Sequence, residues 1–155
     1  MNGSPINYSL DLAAGLTQVL SDGTNAYLYG PDLMTGQGYR IGEEQPGGWL
    51  YHLPDPLMSS RQLADAGAEV ALSRSCQPFG TLLASSGNGV STFRFTGEQS
   101  DGTGLVYLRA RYYDAGTGRF LAADPSRSEA NPYGYSQGNP LRYVDPSGLF
   151  GVCSF

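Results

Sequence analysis

The sequence predicts an all-β protein of stacked antiparallel β-hairpins, ending in an irregular, proline- and glycine-rich segment. Three observations predict this. First, 22 glycines and 10 prolines make up about a fifth of the 155 residues, more than a usual domain carries but less than structureless sequence. Second, short β-favouring runs alternate with turn dipeptides along the first two thirds. Third, aromatic residues recur two apart, at Tyr27/Tyr29, Trp49/Tyr51, Phe93/Phe95 and Tyr133/Tyr135. In a strand that spacing puts both rings on one face, where they can stack against neighbouring strands.

Taken in order, Tyr8 to Leu12 reads as a strand, and Leu16 to Leu20 as its return after Gly15. Asp22-Gly23 comes next, a strong turn signal because glycine accepts the positive φ of tight hairpins. Ala26 to Tyr29 is the next strand, with further breaks at Gly36 and Gly38. Gly47-Gly48 precedes Trp49 to Leu53. Gln62 to Leu72 is rich in alanine and helical on propensity alone. Gly67 within Asp65-Ala66-Gly67 favours two strands instead, Arg61 to Ala64 and Glu69 to Ser73. After Asn88-Gly89, Thr92 to Phe95 and Leu105 to Leu108 are read as strands about the Asp101-Gly102 turn. From Gly118 the texture changes, with Asp124-Pro125, Asn131-Pro132, Asn139-Pro140 and Asp145-Pro146 in close succession. Tyr133/Tyr135 is therefore placed in a loop or short helical turn. Asp145-Pro146-Ser147-Gly148 and Asn131-Pro132-Tyr133-Gly134 have the residue order of type I turns. A degenerate repeat of this kind cannot bury its face alone, so its N-terminal edge is expected to meet further repeats or other copies.

Composition narrows the function classes. A hydrophobic content of 40% with only 15% charged residues belongs to a folded chain. The net charge of −5, without any run of Lys or Arg, argues against a nucleic-acid surface, which needs positive charge to neutralise phosphates. No stretch is apolar and long enough to span a bilayer. Met1 to Ala14 lacks the basic start and apolar run of a secretory signal, although export by specialised machinery would leave the same sequence. Cys76 and Cys153, 77 positions apart, match no zinc or redox spacing and read as reduced thiols. His52 is the lone histidine and reads as a strand residue, so no metal or cofactor is expected.

Two blocks carry a family resemblance. Thr103 to Asp114, then Gly118-Arg119-Phe120-Leu121 and Asp124-Pro125, resembles the Rhs repeat-associated core domain. Asn131-Pro132-Tyr133-Gly134-Tyr135, Asn139-Pro140 and Tyr143 to Leu149 continue the match. The terminal pattern of that family is met by Pro140, Asp145, Pro146, Gly148 and Leu149. Upstream, Trp49 to Leu82 resembles the repeat that precedes the core. Cys76 and Gln77 stand where the family's Tyr-Asp dipeptide is usual, and only Tyr113-Asp114 keeps it. The resemblance implies residues 1–90 as degenerate YD-type hairpin repeats, 91–149 as the core domain that plugs one end of a hollow β-shell, and 150–155 as a short tail. It also implies self-cleavage between Leu149 and Phe150, freeing a C-terminal toxin in longer relatives of the polymorphic toxin and toxin-complex C type.

The chemistry such cleavage needs is a pair of carboxylates, one acting as base toward water and the other as acid. Asp124 and Asp145, 21 residues apart, are the candidates, each oriented by a following proline. Arg119, in the family's Gly-Arg-aromatic step, is the candidate for orienting a carboxylate or polarising the scissile carbonyl, with Arg142 a weaker alternative. Arg109 and Arg111 read as paired charges or residues lining the shell. The alternative for either aspartate is a turn cap that accepts backbone N–H groups and does no chemistry. At most the chain is then a single-turnover aspartate-dependent protease acting on itself. The competing class is a non-catalytic β-scaffold or surface-interaction protein.

Overall fold

The computed structural model describes residues 6–13, 15–31, 38–127 and 130–153. Eight strands succeed one another as a single antiparallel meander: β1 (Ser9–Asp11), β2 (Gln18–Ser21), β3 (Ala26–Tyr29), β4 (Arg40–Gln45), β5 (Gly48–Pro54), β6 (Ser60–Asp65), β7 (Val70–Cys76) and β8 (Leu82–Gly87). Each pairs only with its sequence neighbours, leaving β1 and β8 as edges. The all-β, hairpin-stacked prediction therefore holds.

Turn chemistry explains the register. Between β2 and β3, Asp22 Oδ1 accepts the amides of Thr24 and Asn25 at 2.9 and 2.7 Å, and Gly23 takes φ +85°. Between β6 and β7, Asp65 Oδ1 accepts the amides of Gly67 and Glu69 at 2.8 and 3.0 Å. That Asx turn decides the alanine-rich segment for two strands, because it satisfies the amides that a helix would otherwise need. Gly36 lies outside the described residues.

The remaining chain folds over one face of the meander. A three-stranded sheet, β9 (Val106–Leu108), β10 (Arg111–Asp114) and β11 (Arg119–Phe120), has β10 in the middle. A small hairpin pairs β12 (Tyr143–Val144) with β13 (Val152–Cys153). Phe95, Val106, Leu108, Tyr113, Phe120 and Tyr135 form the core between these pieces, and Phe79 from the meander packs against it. The rings of Tyr113 and Tyr135 are 4.4 Å apart, and Phe95 and Phe120 lie within 6 Å of both. Such tilted and edge contacts suit the ring quadrupoles.

Two sequence expectations need correction. Thr92 to Phe95 is not a strand: Phe93 makes one isolated bridge to Gln99, and Phe95 starts a 3-10 turn, Phe95–Gly97. The aromatic pairs also do not form rungs across successive strands. Trp49 and Tyr51 stack along β5 at 6.2 Å, beside Gly42 of β4. Tyr27 instead meets Phe93 edge-on at 4.9 Å, between the sheet and the covering segment. The i, i+2 spacing puts two rings on one face but does not say what lies opposite. Tyr135 precedes the 3-10 turn Ser136–Gly138, in the irregular setting expected for it.

Sheet side chains hold the covering segment by its backbone. Arg74 donates to the carbonyls of Phe93 and Ser91 at 3.0 and 2.9 Å, and Ser59 Oγ accepts the Thr96 amide at 3.0 Å. The Ser60 amide bonds the Arg94 carbonyl at 2.8 Å. Leu63, fully buried in β6, lies between His52 of β5 and Leu72 of β7. Its replacement by alanine is expected to cost about 2–5 kcal/mol, read as a lower urea midpoint with an unchanged m-value.

Candidate functional site

The terminal turn is built from its glycine and its aspartate. In Asp145-Pro146-Ser147-Gly148 the Gly148 amide closes on the Asp145 carbonyl at 3.4 Å. Gly148 has φ +69°, and a Cβ there would collide with the Leu108 carbonyl oxygen at the end of β9. Glycine is thus required twice, for its backbone conformation and for close approach to the β9–β10 turn. The Ser147 carbonyl accepts the Ala110 amide at 3.2 Å, and the Pro146 carbonyl accepts Arg109 Nη1 at 2.6 Å. Arg109 also pairs with buried Glu98 at 2.7 Å. Pro140 is buried as the chain approaches β12, and the Asn139 carbonyl before it accepts the amides of Arg142 and Tyr143, both at 3.1 Å.

Asp145 is 2% exposed. Its Oδ1 accepts the Leu149 amide at 3.1 Å and the Ser147 hydroxyl at 3.0 Å, and its Oδ2 faces Arg111 Nη2 at 3.7 Å. Arg111, 5% exposed on β10, donates from Nε to the Gly148 carbonyl. The peptide unit joining Gly148 to Leu149 is therefore held at both ends, its N–H by Asp145 and its C=O by Arg111. This clamped unit lies immediately before the Leu149–Phe150 bond. Phe150 is exposed, and the chain returns as β13 alongside β12.

Asp124 is 4% exposed and also sits in an Asx turn. Its carboxylate accepts the Ser126 amide at 2.8 Å and the Ser126 hydroxyl at 2.7 and 2.8 Å. Its own amide bonds the Pro132 carbonyl at 2.8 Å, and Arg111 Nη1 donates to that same carbonyl at 3.1 Å. Arg111 thus touches Asp145 directly and is linked to the backbone of Asp124 through one shared carbonyl.

Arg119 is exposed on β11, and the arginine at Asp145 is Arg111. The Gly-Arg-aromatic step contributes its ring instead: the Arg111 guanidinium lies over Phe120, 3.6 Å from the centroid. Strand alternation explains the swap, because Arg119 and Phe120 point to opposite faces of β11. Arg142 is exposed, and its guanidinium lies 5.4 Å from the Tyr143 ring centroid. Arg111 shares a face of β10 with Tyr113, which is the one signal in the sequence that could have assigned it inward.

Burial raises the Asp145 pKa above the ordinary aspartate value, against the opposing pull of the Ser147 and Leu149 hydrogen bonds and the Arg111 charge. A carboxyl group that stays protonated further up the pH scale can act as a proton donor. Tyr135, beside it, is pushed up to about 12, chiefly by burial. His52 is buried in the meander, with Nδ1 2.9 Å from Ser60 Oγ and Nε2 3.3 Å from Glu43 Oε2. Among the described residues no group of three or more His, Cys, Asp or Glu could hold a metal ion, and no helix is long and apolar enough to cross a membrane.

No family profile matches the chain. Curated relatives include two proteins named as toxins and a tRNA nuclease. The double-stranded DNA deaminase toxin A of Burkholderia cenocepacia is 30% identical over 86% of this chain and 11% of its own length. The toxin subunit YenC2 of Yersinia entomophaga is 43% identical over 37% of this chain, and the tRNA nuclease WapA of Bacillus subtilis is 43% identical over 36%. Those matches span 6% and 3% of the relatives' lengths, so the chain corresponds to a small part of each. Among solved structures, TcdB2-TccC3-TEV superposes with a TM-score of 0.67 and TcdB2-TccC3 with 0.65, at 23% and 24% identity over 86% of this chain. The chain covers 7% of each, and this likeness establishes the β fold.

The geometry leads to two expected outcomes. Gly148→Ala is expected to lower stability by about 2 kcal/mol or more, seen in thermal melts. For Asp145 the folded pKa is the higher one, so its contribution is full below the unfolded value of about 3.9 and is lost as pH rises through the folded value. Asp145→Asn is expected to remove this part of the pH dependence, leaving a flatter melting temperature between about pH 3 and pH 8.

Proposed function

We propose that this chain is the closing portion of an Rhs/YD-repeat β-shell, with residues 1–90 as repeats and 91–149 as the core domain. In this reading the core cleaves its own chain once, between Leu149 and Phe150, and frees the polypeptide C-terminal to that bond. In the longer proteins this segment resembles, the freed polypeptide would be a toxin domain enclosed by the shell. The partners are the preceding repeats, or other copies, meeting the free edge at β1.

The observation that carries the reading is the clamp on the peptide unit before the scissile bond. Asp145 and Arg111 grip its two ends, which holds in place the peptide unit that adjoins the scissile bond. Water would add to that carbonyl as one carboxylate takes its proton. The other would protonate the Phe150 nitrogen as the C–N bond breaks. Asp145, whose pKa burial raises, suits the acid, and Asp124 the base. Arg111 takes the electrostatic role, stabilising charge that develops at the carbonyl, and Arg119, being exposed, does not. The names of the toxin relatives and the shared β fold support the same reading.

One observation favours a non-catalytic scaffold instead: both carboxylates already serve as turn caps, Asp124 for Ser126 and Asp145 for Leu149. Intact mass separates the two readings. Wild type is expected to lose residues 150–155 on incubation, and Asp145→Asn and Asp124→Asn to keep them. Arg111→Gln is expected to slow the loss by about 100-fold or more, and Arg119→Gln to leave it near the wild-type rate. Wild type that stays full length on prolonged incubation makes the chain a scaffold.

A further inference from the structure

Away from the terminal motif, two arginines meet at one cavity, in a chain whose net charge is −5. The cavity has a volume of about 280 Å³ and lies where the last strands of the meander approach the covering segment. Arg74 of β7 and Arg94 of the covering segment both line it. Burial first, and then the positive charge of Arg94, lower the Arg74 pKa, so the two cations repel one another across this space.

Both arginines have donors to offer. Arg94 is exposed, and its side chain makes no hydrogen bond or ion pair among the described residues. Arg74 is half-buried and donates to the Phe93 and Ser91 carbonyls, but a guanidinium carries further N–H groups. None of those on Arg74 is both sealed from solvent and unpartnered. Ser100, 7% exposed, adds a hydroxyl without a partner among the described residues.

The carboxylates nearby do not take these donors. Asp114 is on the cavity wall, but its Oδ1 accepts the Gly116 amide at 2.8 Å and its Oδ2 the Thr117 hydroxyl at 2.9 Å. Glu43 and Cys76 favour the charged form of Arg74. Glu43 does so from outside the cavity, while bonded to Ser91 and Gln45. No carboxylate of the described residues comes within 4.0 Å of either guanidinium.

Charge and donor number define the ligand. A carboxylate offers two oxygens and a single charge. A phosphate monoester carries about −1.5 to −2 at pH 7 on three oxygens, enough to meet both arginines and the Ser100 hydroxyl. Arginine forks also fit phosphate oxygens bidentately. Leu82, Phe95, Val106 and Ala115 make another part of the wall apolar, which suits a small organic body. We propose that this cavity binds a small phosphate monoester, its phosphate held between Arg74 and Arg94 and its organic part against the apolar wall.

The test uses the full chain with phenyl phosphate as probe and phenol as its uncharged counterpart. Both are titrated at constant ionic strength and followed by calorimetry and amide chemical shifts. Phenyl phosphate is expected to saturate and to shift the amides of Arg94, Ser100 and Ala115, and phenol to do neither. Arg94→Gln, which alters an exposed side chain, is expected to weaken binding by about tenfold or more. Arg127→Gln, an exposed arginine outside the cavity, is expected to leave binding unchanged. The wild-type shifts decide the matter even if a variant fails to fold. Absence of saturation, shifts confined to other parts of the chain, equal binding of phenol, or equal weakening in the two variants overturns the proposal.

Discussion

The fold rests on one constraint: an open β-meander has two faces, and one must be covered by chain that is not itself a regular sheet. Irregular backbone carries amides and carbonyls that no ladder satisfies. Here the sheet's own side chains satisfy them. Arg74 takes the Phe93 and Ser91 carbonyls, Arg40 takes Gly97, and Ser59 takes the Thr96 amide. The meander thus supplies the hydrogen-bonding partners that let residues 91–98 take a non-repetitive path, and that path carries Phe95 into the aromatic core.

The same economy governs the terminal motif. Gly148 is pressed against the β9–β10 turn, and its carbonyl meets Arg111 just beyond that turn. Arg111 reaches the Gly148 and Pro132 carbonyls and the Asp145 carboxylate while stacking on Phe120. One side chain therefore ties together three stretches of chain far apart in sequence. A buried Asp–Arg pair is seldom retained for stability, since desolvation offsets much of its attraction. The upward displacement of the Asp145 pKa, led by burial, marks the carboxyl as held at a cost to its ionised form, as functional carboxyl groups often are.

The motif's aspartates were legible as candidates because Asp-Pro steps announce themselves locally. Both are buried, and both cap turns, as local rules require. Arg111 was harder to assign. A strand places it on one face with Tyr113, but nothing in the local pattern says which face turns inward. Arg119 stood closer to a recognisable step, yet β11 turns it outward and sends Phe120 in. Thr92 to Phe95 failed for a related reason: β-favouring residues became a bridge and a 3-10 turn, because the sheet's hydrogen bonds compete for that backbone.

By itself the sequence determined what depends on near neighbours. Its turn residues set the hairpins and their register, Asp65 settled strands over helix, and Gly148 took the fourth place of a type I turn. Only the tertiary structure decided which arginine meets Asp145, what faces Tyr27, and which carbonyl Arg40 reaches. The reason is range. Turn preference and strand alternation act over a few residues, whereas charge pairing and burial depend on groups far apart in the chain, such as Arg111 with Asp145 and Tyr27 with Phe93.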